Sequence, residues 1–506
     1  MTTHDLHVLH TPAAEKDRPT VAWLDWGRDV FDRAAAERKP ILLWLTTTWS
    51  TSGAVMDRST FGDADVIAAV LEGFIPVRVD ADRRPDLDDR YNLGGWPTTA
   101  FLTPGGEVLW GATYLDAERM RDALRRVAEE FRAPQGASLA DPLVTESGEP
   151  AAADVADAFE ESIDGDATDW VSDRLAAAFD SEYGGFGDGV KYCHAPALML
   201  LLRRCREASD TTCRTIVQAT LDAICDGELH DAGRGGFFRY GTNRDWSAPP
   251  PEKLLRDQAA LLRVLLEASV IFDSVRYRGA AEDLVRYLQT RLADPSGGFL
   301  ASERRAPDSR PVMDRTLFTD ANADAAVSLL IAADVLADPV IRDAALRSFE
   351  RVMLGAYRPG GGAAHYLDEH GAWVRGLLAD QVHAAAALVA IAERTGQVPH
   401  LMMAEELMRY AERVMWDDRR GGFYDRAPAK AGAGEYGRLK QRLKPLNDNC
   451  LAACVWFDLA SLAEQPEYRT RAFKTLASQT RVYQTAGLDA AAYALTVAHL
   501  TRAETS

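Results

Sequence analysis

Cysteine is scarce in this 506-residue chain, and its six residues are Cys193, Cys205, Cys213, Cys225, Cys450 and Cys454. None of them forms a Cys-x-x-Cys pair. Cys450 and Cys454 lie one helical turn apart, but no histidine or further cysteine stands near them to complete a metal site. The scattered thiols therefore predict reduced, mostly core side chains, a cytoplasmic location, no metal site and no cofactor.

Long apolar runs and an excess of positive charge are also missing. No segment approaches the roughly 20 apolar residues that span a bilayer. The first ten residues, MTTHDLHVLH, do not have the basic and apolar pattern of a secretory signal. The formal net charge of −19 would repel nucleic acids and anionic membranes. We therefore expect neither a nucleic-acid partner nor a membrane partner.

The residues that are present indicate a globular protein of more than one domain. Hydrophobic residues make up 47% of the chain, and its length exceeds that of one ordinary domain. Residues 1–135 alternate helical and strand patterns, with a buried strand at Ile41–Trp49, one helix over 50–72 and a turn before Pro97. The order of these elements is that of a thioredoxin fold. Residues 136–165 mix Pro, Gly, Ser and acidic residues and predict a linker.

Residues 166–506 predict twelve amphipathic helices in six hairpins. The helices are expected at about 166–180, 195–209, 211–228, 252–273, 277–292, 320–336, 339–354, 378–395, 399–416, 447–463, 466–480 and 487–502. Glycine pairs at 184, 235, 297, 361 and 421 recur in the long connections, and the other connections are short. The alternation favours a closed (α/α)6 barrel over an open solenoid, with the long loops around one mouth.

Several segments resemble one known family. The segments KPILLWLTTTW and GGWPTTAFLTPGGEVLWGATY in the first domain, and GGFFRYGTNRDWSAPPPEKLLRDQ in the second, carry the resemblance. The family is the spermatogenesis-associated thioredoxin-like family, bacterial thioredoxin domain-containing proteins that also contain a six-hairpin glycosidase-like barrel. Ser50 and Gly53 stand where the family has its two cysteines, and Pro97 matches the cis-proline of thioredoxin folds.

The loss of both cysteines excludes thiol chemistry for the first domain, because thiol–disulfide exchange requires a thiolate nucleophile. We therefore expect a redox-inactive domain with a structural role or a role in binding a protein partner. Thiol–disulfide oxidoreductase is the least favoured function.

The resemblance implies a pocket at the barrel mouth for a small polar or sugar-like molecule, as in six-hairpin glycosidases and sugar 2-epimerases. Hydroxyl groups of such a ligand need paired donors and acceptors, and aromatic faces cover its C–H surface. The predicted catalytic residues are Glu252, Asp257, Asp380 and His383. The predicted ligand-binding residues are Lys191, Tyr192, His194, Arg239, Tyr240, Trp246, Lys253, Asn322, Gln381 and Asn449.

Two functional hypotheses stay open at this point. Glycoside hydrolysis needs two carboxylic acids across a cleft, and epimerisation needs two bases, for which His194 and His383 are the candidate pair. Alternatively, the chain is a non-catalytic binding or scaffold protein, since several family residues are altered. In that case Trp246 is a core residue, and Asp380 and Asn449 cap helices.

Overall fold

The computed structural model describes residues 20–132, 162–208, 210–306, 310–429 and 434–502. Most of the predicted linker, residues 136–165, lies outside the described residues. The chain forms two compact units, one of Met1–Ala151 with Gly434–Lys440 and one of Ala152–Ala433 with Gln441–Ser506. Residues 434–440 thus group with the first unit, although they fall within the predicted barrel. Among the described residues, no helix has the length and apolar character needed to cross a membrane.

The first unit has the thioredoxin-like fold that the sequence predicts. Its elements are α1 (Arg28–Glu37), β1 (Ile41–Thr46), α2 (Thr51–Ser59), α3 (Ala64–Gly73), β2 (Ile75–Asp80), α4 (Pro85–Tyr91), β3 (Thr98–Leu102), β4 (Val108–Ala112) and α5 (Ala117–Arg132). The sheet order is β2-β1-β3-β4, and only the β1–β2 pair is parallel. The predicted cis-proline is confirmed at Trp96-Pro97.

The single helix predicted over 50–72 is in fact two helices. A turn separates α2 from α3, and the Asp63 carboxylate caps α3 by accepting hydrogen bonds from the amides of Asp65 and Val66. A capping side chain allows a new helix to begin at that point. The spacing of apolar residues alone does not reveal such a helix boundary.

Residues 434–440 contribute to the core of the first unit. The Tyr436 ring stacks on Phe31 with centroids 5.1 Å apart, and its hydroxyl accepts a hydrogen bond from Arg28 Nε at 2.8 Å. The Tyr91 hydroxyl accepts from the Arg438 amide at 2.8 Å, and Leu439 is buried in the same core. These contacts explain why the segment belongs with the first unit.

The second unit is a closed (α/α)6 barrel, as predicted. Its helices are α6 (Ala167–Ala178), α7 (Ala195–Ala208), α8 (Thr211–Asp226), α9 (Leu255–Ile271), α10 (Val275–Tyr287), α11 (Thr319–Leu336), α12 (Pro339–Ala356), α13 (Leu378–Thr395), α14 (Val398–Met415), α15 (Leu446–Leu462), α16 (Glu467–Ala477) and α17 (Ala490–Arg502). The inner ring is α7, α9, α11, α13, α15 and α17. Each inner helix contacts the next, and α17 contacts α7, so the ring closes.

Short strands in the long loops are the main feature that the helical pattern does not predict. They are β5 (Lys191–Tyr192), β6 (Tyr240–Gly241), β7 (Glu252–Leu254), β8 (Ser302–Arg305), β9 (Pro311–Asp314), β10 (Leu317–Phe318), β11 (Tyr357–Arg358), β12 (Gly362–Asp368) and β13 (Gly371–Arg375). β7, β8 and β9 form one antiparallel sheet. Consequently Glu252 lies in a strand, and the helix expected from residue 252 begins at Leu255.

Four of the glycine loops are each fastened, by hydrogen bonds, to a buried side-chain amide on the inner helix that follows the loop. In each loop the residue after the glycines has its N–H and its C=O bonded to one side-chain amide, at 2.7–3.1 Å. The four amide–loop pairs are Gln258 with Phe237, Asn322 with Phe299, Gln381 with Ala363, and Asn449 with Phe423. The glycines turn the chain at positive φ, between 66° and 100° in these loops. The backbone groups freed by the turn are thus satisfied within the protein.

Lysines with little or no exposure brace three of the five glycine loops, two of which are also fastened by an amide. Each ammonium pairs with an aspartate of its loop at 2.7–2.8 Å and donates a second hydrogen bond to a glycine carbonyl. The pairs are Lys191 with Asp180, Lys253 with Asp231, and Lys444 with Asp417. Burial lowers the pKa of Lys253, and the partner carboxylate offsets part of that effect. A buried charge of this kind is tolerated only with a partner, so both members serve the loop.

Replacing Asn449 by leucine tests the amide fastening. The substitution leaves the Phe423 N–H and C=O buried without partners, so we expect the barrel to lose about 3 kcal/mol of unfolding free energy. Chemical denaturation followed by circular dichroism measures the change. Asn243→Ala, at an exposed loop position, is the control and should change stability by less than about 0.5 kcal/mol. Equal stability of the two variants would contradict the role of the amide.

Candidate active site in the barrel

An aromatic patch lies where the first two glycine loops meet. The β5–β6 ladder sets Tyr192 opposite Tyr240, with ring centroids 4.8 Å apart. The His194 ring lies 5.9 Å from Tyr192. Next to Tyr240, Arg239 Nε lies 3.4 Å from Asp257 Oδ2 in the first turn of α9. Five residues predicted from the sequence are therefore brought together here, with ring faces, one cation and one carboxylate.

A second group surrounds His383 on the inner face of α13. His383 Nδ1 donates to Asp324 Oδ1 at 2.9 Å, and Nε2 lies 3.7 Å from Asp448 Oδ1. Arg263 also pairs with Asp324, at 3.2 Å. The side chains of His383, Asp324 and Asp448 keep 20–27% exposure. The imidazole is thus held between carboxylates from α11 and α15 and remains reachable by small molecules.

A third group lies at the N-terminal ends of α11 and α13. His365 on β12 has Nδ1 2.9 Å from Asp380 Oδ1, and both side chains are almost completely buried. Asp320 lies beside them, and one ligand atom from each of the three residues lies within 4.8 Å of the others. Arg256 approaches Asp320 at 3.8 Å from α9. We call Asp320, Asp324, His365, Asp380, His383 and Asp448 the charged cluster.

The charged groups of the cluster change one another's proton affinity. Burial opposes ionisation of Asp324, yet His383 and Arg263 lower its pKa to about 2. Burial also opposes charge on His383, but Asp324 and Asp448 hold the pKa of the imidazole well above its ordinary value. Burial raises the pKa of the Asp380 carboxyl, and His365 offsets only part of that rise.

Across the ring, burial has the larger effect on the histidine of the aromatic patch. It lowers the pKa of His194, opposed only by Asp489. Burial also raises the pKa of Asp257, which Arg239 partly offsets. These shifts favour the charged form of the His383 imidazole and the neutral form of the His194 imidazole.

Other predicted site residues lie in the scaffold. Lys191 and Lys253 brace the glycine loops, and Asn322, Gln381 and Asn449 fasten them, so their polar groups already bond within the protein. Trp246 is 2% exposed and donates its indole N–H to the Tyr183 carbonyl at 2.9 Å. Glu252 is 5% exposed in β7, and its carbonyl accepts from the Arg239 amide at 3.2 Å. Their presence in the family pattern thus has a structural explanation.

Sequence reasoning missed Asp320, Asp324, His365, Arg256 and Arg263. A signal existed for the two aspartates, which are four residues apart and so share a face of α11. The arginines are seven apart on α9 and likewise share a face. His365 had no such signal, because it lies on a loop strand whose pairing is not visible in the sequence.

The degenerate thioredoxin motif lies at the start of α2, as expected, but it has no cysteine for thiol chemistry. Ser50 caps α2, its hydroxyl accepting from the Gly53 amide at 3.0 Å. The neighbouring Ser52 hydroxyl donates to the carbonyl of Trp96, just before Pro97, at 3.1 Å. A Cβ atom at position 53 would overlap the Thr46 hydroxyl. The motif has therefore been repacked around glycine, and a cysteine there would require Thr46 to move.

Comparisons with known proteins agree with this two-part architecture. Residues 13–137 match the family model Thioredox_DsbH, described as "Protein of unknown function, DUF255". Spermatogenesis-associated protein 20 is 29% identical over 307 residues in Mus musculus and 28% identical over 308 residues in Homo sapiens. The resemblance to the spermatogenesis-associated thioredoxin-like family is confirmed. Each alignment covers 56% of this chain but only 38% of the relative, so the chain spans well under half of these relatives.

Solved structures match the fold of the barrel. A D-mannose isomerase aligns with a TM-score of 0.53 at 12% identity, covering 62% of this chain and 86% of that chain. Cellobiose 2-epimerase from Spirochaeta thermophila aligns at 0.50 with 15% identity, covering 61% and 83%. The GH76 alpha-mannanase of Bacteroides thetaiotaomicron aligns at 0.51 with 11% identity, covering 67% and 96%. At these identities the likeness establishes the six-hairpin barrel fold.

Replacing Asp324 by asparagine tests the electrostatics around His383. Without that charge, we expect the pKa of His383 to fall toward its ordinary value of about 6.5. NMR titration of the histidine side chains measures the pKa, with His383→Gln to assign the signal. Asp458→Asn is the control, because Asp458 pairs with His499 at 2.7 Å and its loss should shift only that histidine. An unchanged His383 pKa in Asp324→Asn would contradict the interaction.

The His383–Asp324 pair also makes the stability of the protein depend on pH. Because the folded-state pKa of His383 is raised, its charge interaction contributes fully below pH of about 6.5. The contribution is lost as pH rises through the folded-state pKa, and Asp324→Asn should flatten this part of the profile of unfolding free energy against pH.

Proposed function

We propose that the barrel binds a small sugar-like ligand inside its inner ring and processes it by acid–base chemistry. The observation that carries the proposal is His383, held in its charged form between Asp324 and Asp448. The carboxylates of Asp257, Asp380 and Asp448 all lie in first turns of inner helices. They therefore share the end of the ring where the glycine loops precede these helices.

The chemistry of these side chains suits a ligand with many hydroxyl groups. Carboxylates accept hydrogen bonds from hydroxyls, and the guanidinium groups of Arg256 and Arg263 donate to them. The ring faces of Tyr192 and Tyr240 suit the C–H surface of a sugar. We therefore assign sugar positioning to the two tyrosines of the aromatic patch, and proton transfer to His194 and the charged cluster.

Proton transfer beside a carbonyl group is the reaction class that the side chains support best. Such a reaction needs one group that removes a proton and another that returns one, with pKa values set apart. His194 precedes α7 and His383 lies on α13, and these two helices are opposite members of the six-helix ring. The neutral His194 suits the base and the charged His383 the acid. Two proteins of similar fold carry the names D-mannose isomerase and cellobiose 2-epimerase.

Glycoside hydrolysis has weaker support. It requires two carboxylic acids facing each other across the scissile bond. The His383 ring contacts both Asp324 and Asp448, so these two carboxylates are already engaged by the same imidazole. We extend the proposal to a cytoplasmic location, supported by six free cysteines, and to a protein-binding role for the thioredoxin-like unit, which lacks thiol chemistry.

A non-catalytic binding or scaffold protein is the alternative. One specific observation favours it: Lys191, Trp246 and Lys253, which the family pattern retains, are used within the scaffold. Retention of these residues therefore does not by itself indicate a reaction.

Solvent exchange distinguishes the two functions. The full chain is incubated in D2O with D-mannose or D-glucose, and ¹H NMR follows the H-2 signal and any ketose or epimer formed. We expect loss of the H-2 signal with product formation, slowed about 100-fold by His383→Asn because the acid is removed. His499→Asn, which removes the imidazole of a histidine–aspartate pair outside the charged cluster, is the matched control and should keep the full rate.

The outcomes are separable. Sugar binding seen by saturation-transfer NMR, without exchange or product, would overturn the acid–base reaction and support the alternative. A folded wild-type chain that neither binds nor converts these sugars would overturn the proposal of a sugar ligand. Equal rates in wild type and His383→Asn would remove His383 from the mechanism.

A further inference from the structure

Asp320, His365 and Asp380 come from three elements and converge at one point. Asp320 is in the first turn of α11, Asp380 in the first turn of α13, and His365 on β12, which packs against both helices. One ligand atom from each residue lies within 4.8 Å of the others. In the described parts of the chain, this is the group of His, Cys, Asp or Glu side chains whose spacing suits a metal ion.

The Asp380 carboxylate points to a ligand independently of this spacing. Its side chain is completely buried, and Oδ1 contacts His365 Nδ1 at 2.9 Å. Its other oxygen, Oδ2, is buried and has no hydrogen-bond partner. A buried carboxylate oxygen without a partner is costly, and a bound cation is one of the few groups that satisfies it.

We propose that Asp320, His365 and Asp380 bind one divalent transition-metal ion in the wall of the barrel. Two carboxylates and one imidazole are a mixed donor set of the kind that suits Mn²⁺, Fe²⁺, Co²⁺ or Zn²⁺, whereas Ca²⁺ prefers oxygen ligands throughout. Bonds of about 2.1 Å place neighbouring ligand atoms about 3 Å apart. His365 Nδ1 and Asp380 Oδ1, 2.9 Å apart, already match this value, and coordination through both oxygens of Asp380 would also satisfy Oδ2.

A metal ion at this site could bind a further ligand besides the three side chains. Three protein ligands leave coordination positions open for water or for an oxygen of a bound molecule. Asp320 keeps 16% side-chain exposure, so the group is not sealed from solvent. The proposal does not rest on the sugar reaction, because it follows from the three ligands and the unpaired Oδ2. It departs from the absence of a metal site that the cysteine pattern predicts.

Titration with Mn²⁺ followed by electron paramagnetic resonance tests the site, because bound Mn²⁺ loses the sharp six-line signal of the free ion. The full chain is first stripped with EDTA. His4, His7 and His10 are replaced by glutamine in every protein tested, since a histidine-rich terminus binds metals by itself. Mn²⁺ also avoids the six cysteines, which a softer ion would seek.

The matched variants are Asp320→Asn and Asp458→Asn. Asp320 is partly exposed, so its replacement should leave the fold intact, which circular dichroism verifies. We expect one Mn²⁺ per chain, at least tenfold weaker binding in Asp320→Asn, and unchanged binding in Asp458→Asn, whose carboxylate pairs with His499 outside the three-residue group. His365→Asn should also weaken binding in any preparation that folds.

Two results would overturn the proposal. One is a folded wild-type chain that binds no Mn²⁺ up to millimolar concentration. The other is binding that Asp320→Asn leaves unchanged, which would locate the ion elsewhere. Both results concern metal binding alone, so they are distinguishable from failure of the sugar reaction.

Discussion

The buried fastening of the glycine loops is the interaction on which the barrel depends. In four of the glycine loops, glycines at positive φ turn the chain sharply, and a buried amide from the next inner helix bonds the N–H and C=O of the residue that follows. Because the amide lies in the first turn, loop and helix are fixed as one piece. An aspartate immediately precedes the amide in three of the four cases: Asp257 before Gln258, Asp380 before Gln381, and Asp448 before Asn449. The scaffold thus positions the carboxylates of the candidate site.

Opposite charges that lie close together set the pKa values of the side chains in the candidate site. Asp324 stays ionised because His383 and Arg263 are adjacent, and His383 stays protonated because two carboxylates hold its proton. The same enclosure leaves His194 neutral and raises the pKa of Asp380. The barrel therefore sets the pKa values of His383 and His194 apart, in opposite directions, as acid–base catalysis usually requires.

The sequence predicts the scaffold well because its signals are local. Helical periodicity and repeated glycine pairs predict the twelve helices, and the missing cysteines predict the altered thioredoxin motif. The site is harder, because it depends on which face of each helix points inward and on loop strands. Asn322, Gln381 and Asn449 have the composition of ligand-binding residues, yet they bond to loop backbone. His365 acquires its partner only through β12, whose position no local pattern reveals.

A crystal structure of the full chain with D-mannose tests the central claim most directly, namely that the inner ring is a ligand site organised around His383. The account predicts electron density for the sugar inside the ring, with an oxygen within hydrogen-bond distance of His383 or Asp448 and a tyrosine ring of the aromatic patch against its C–H surface. Sugar bound only outside the barrel, or an inner ring filled by water alone at saturating sugar, would contradict it.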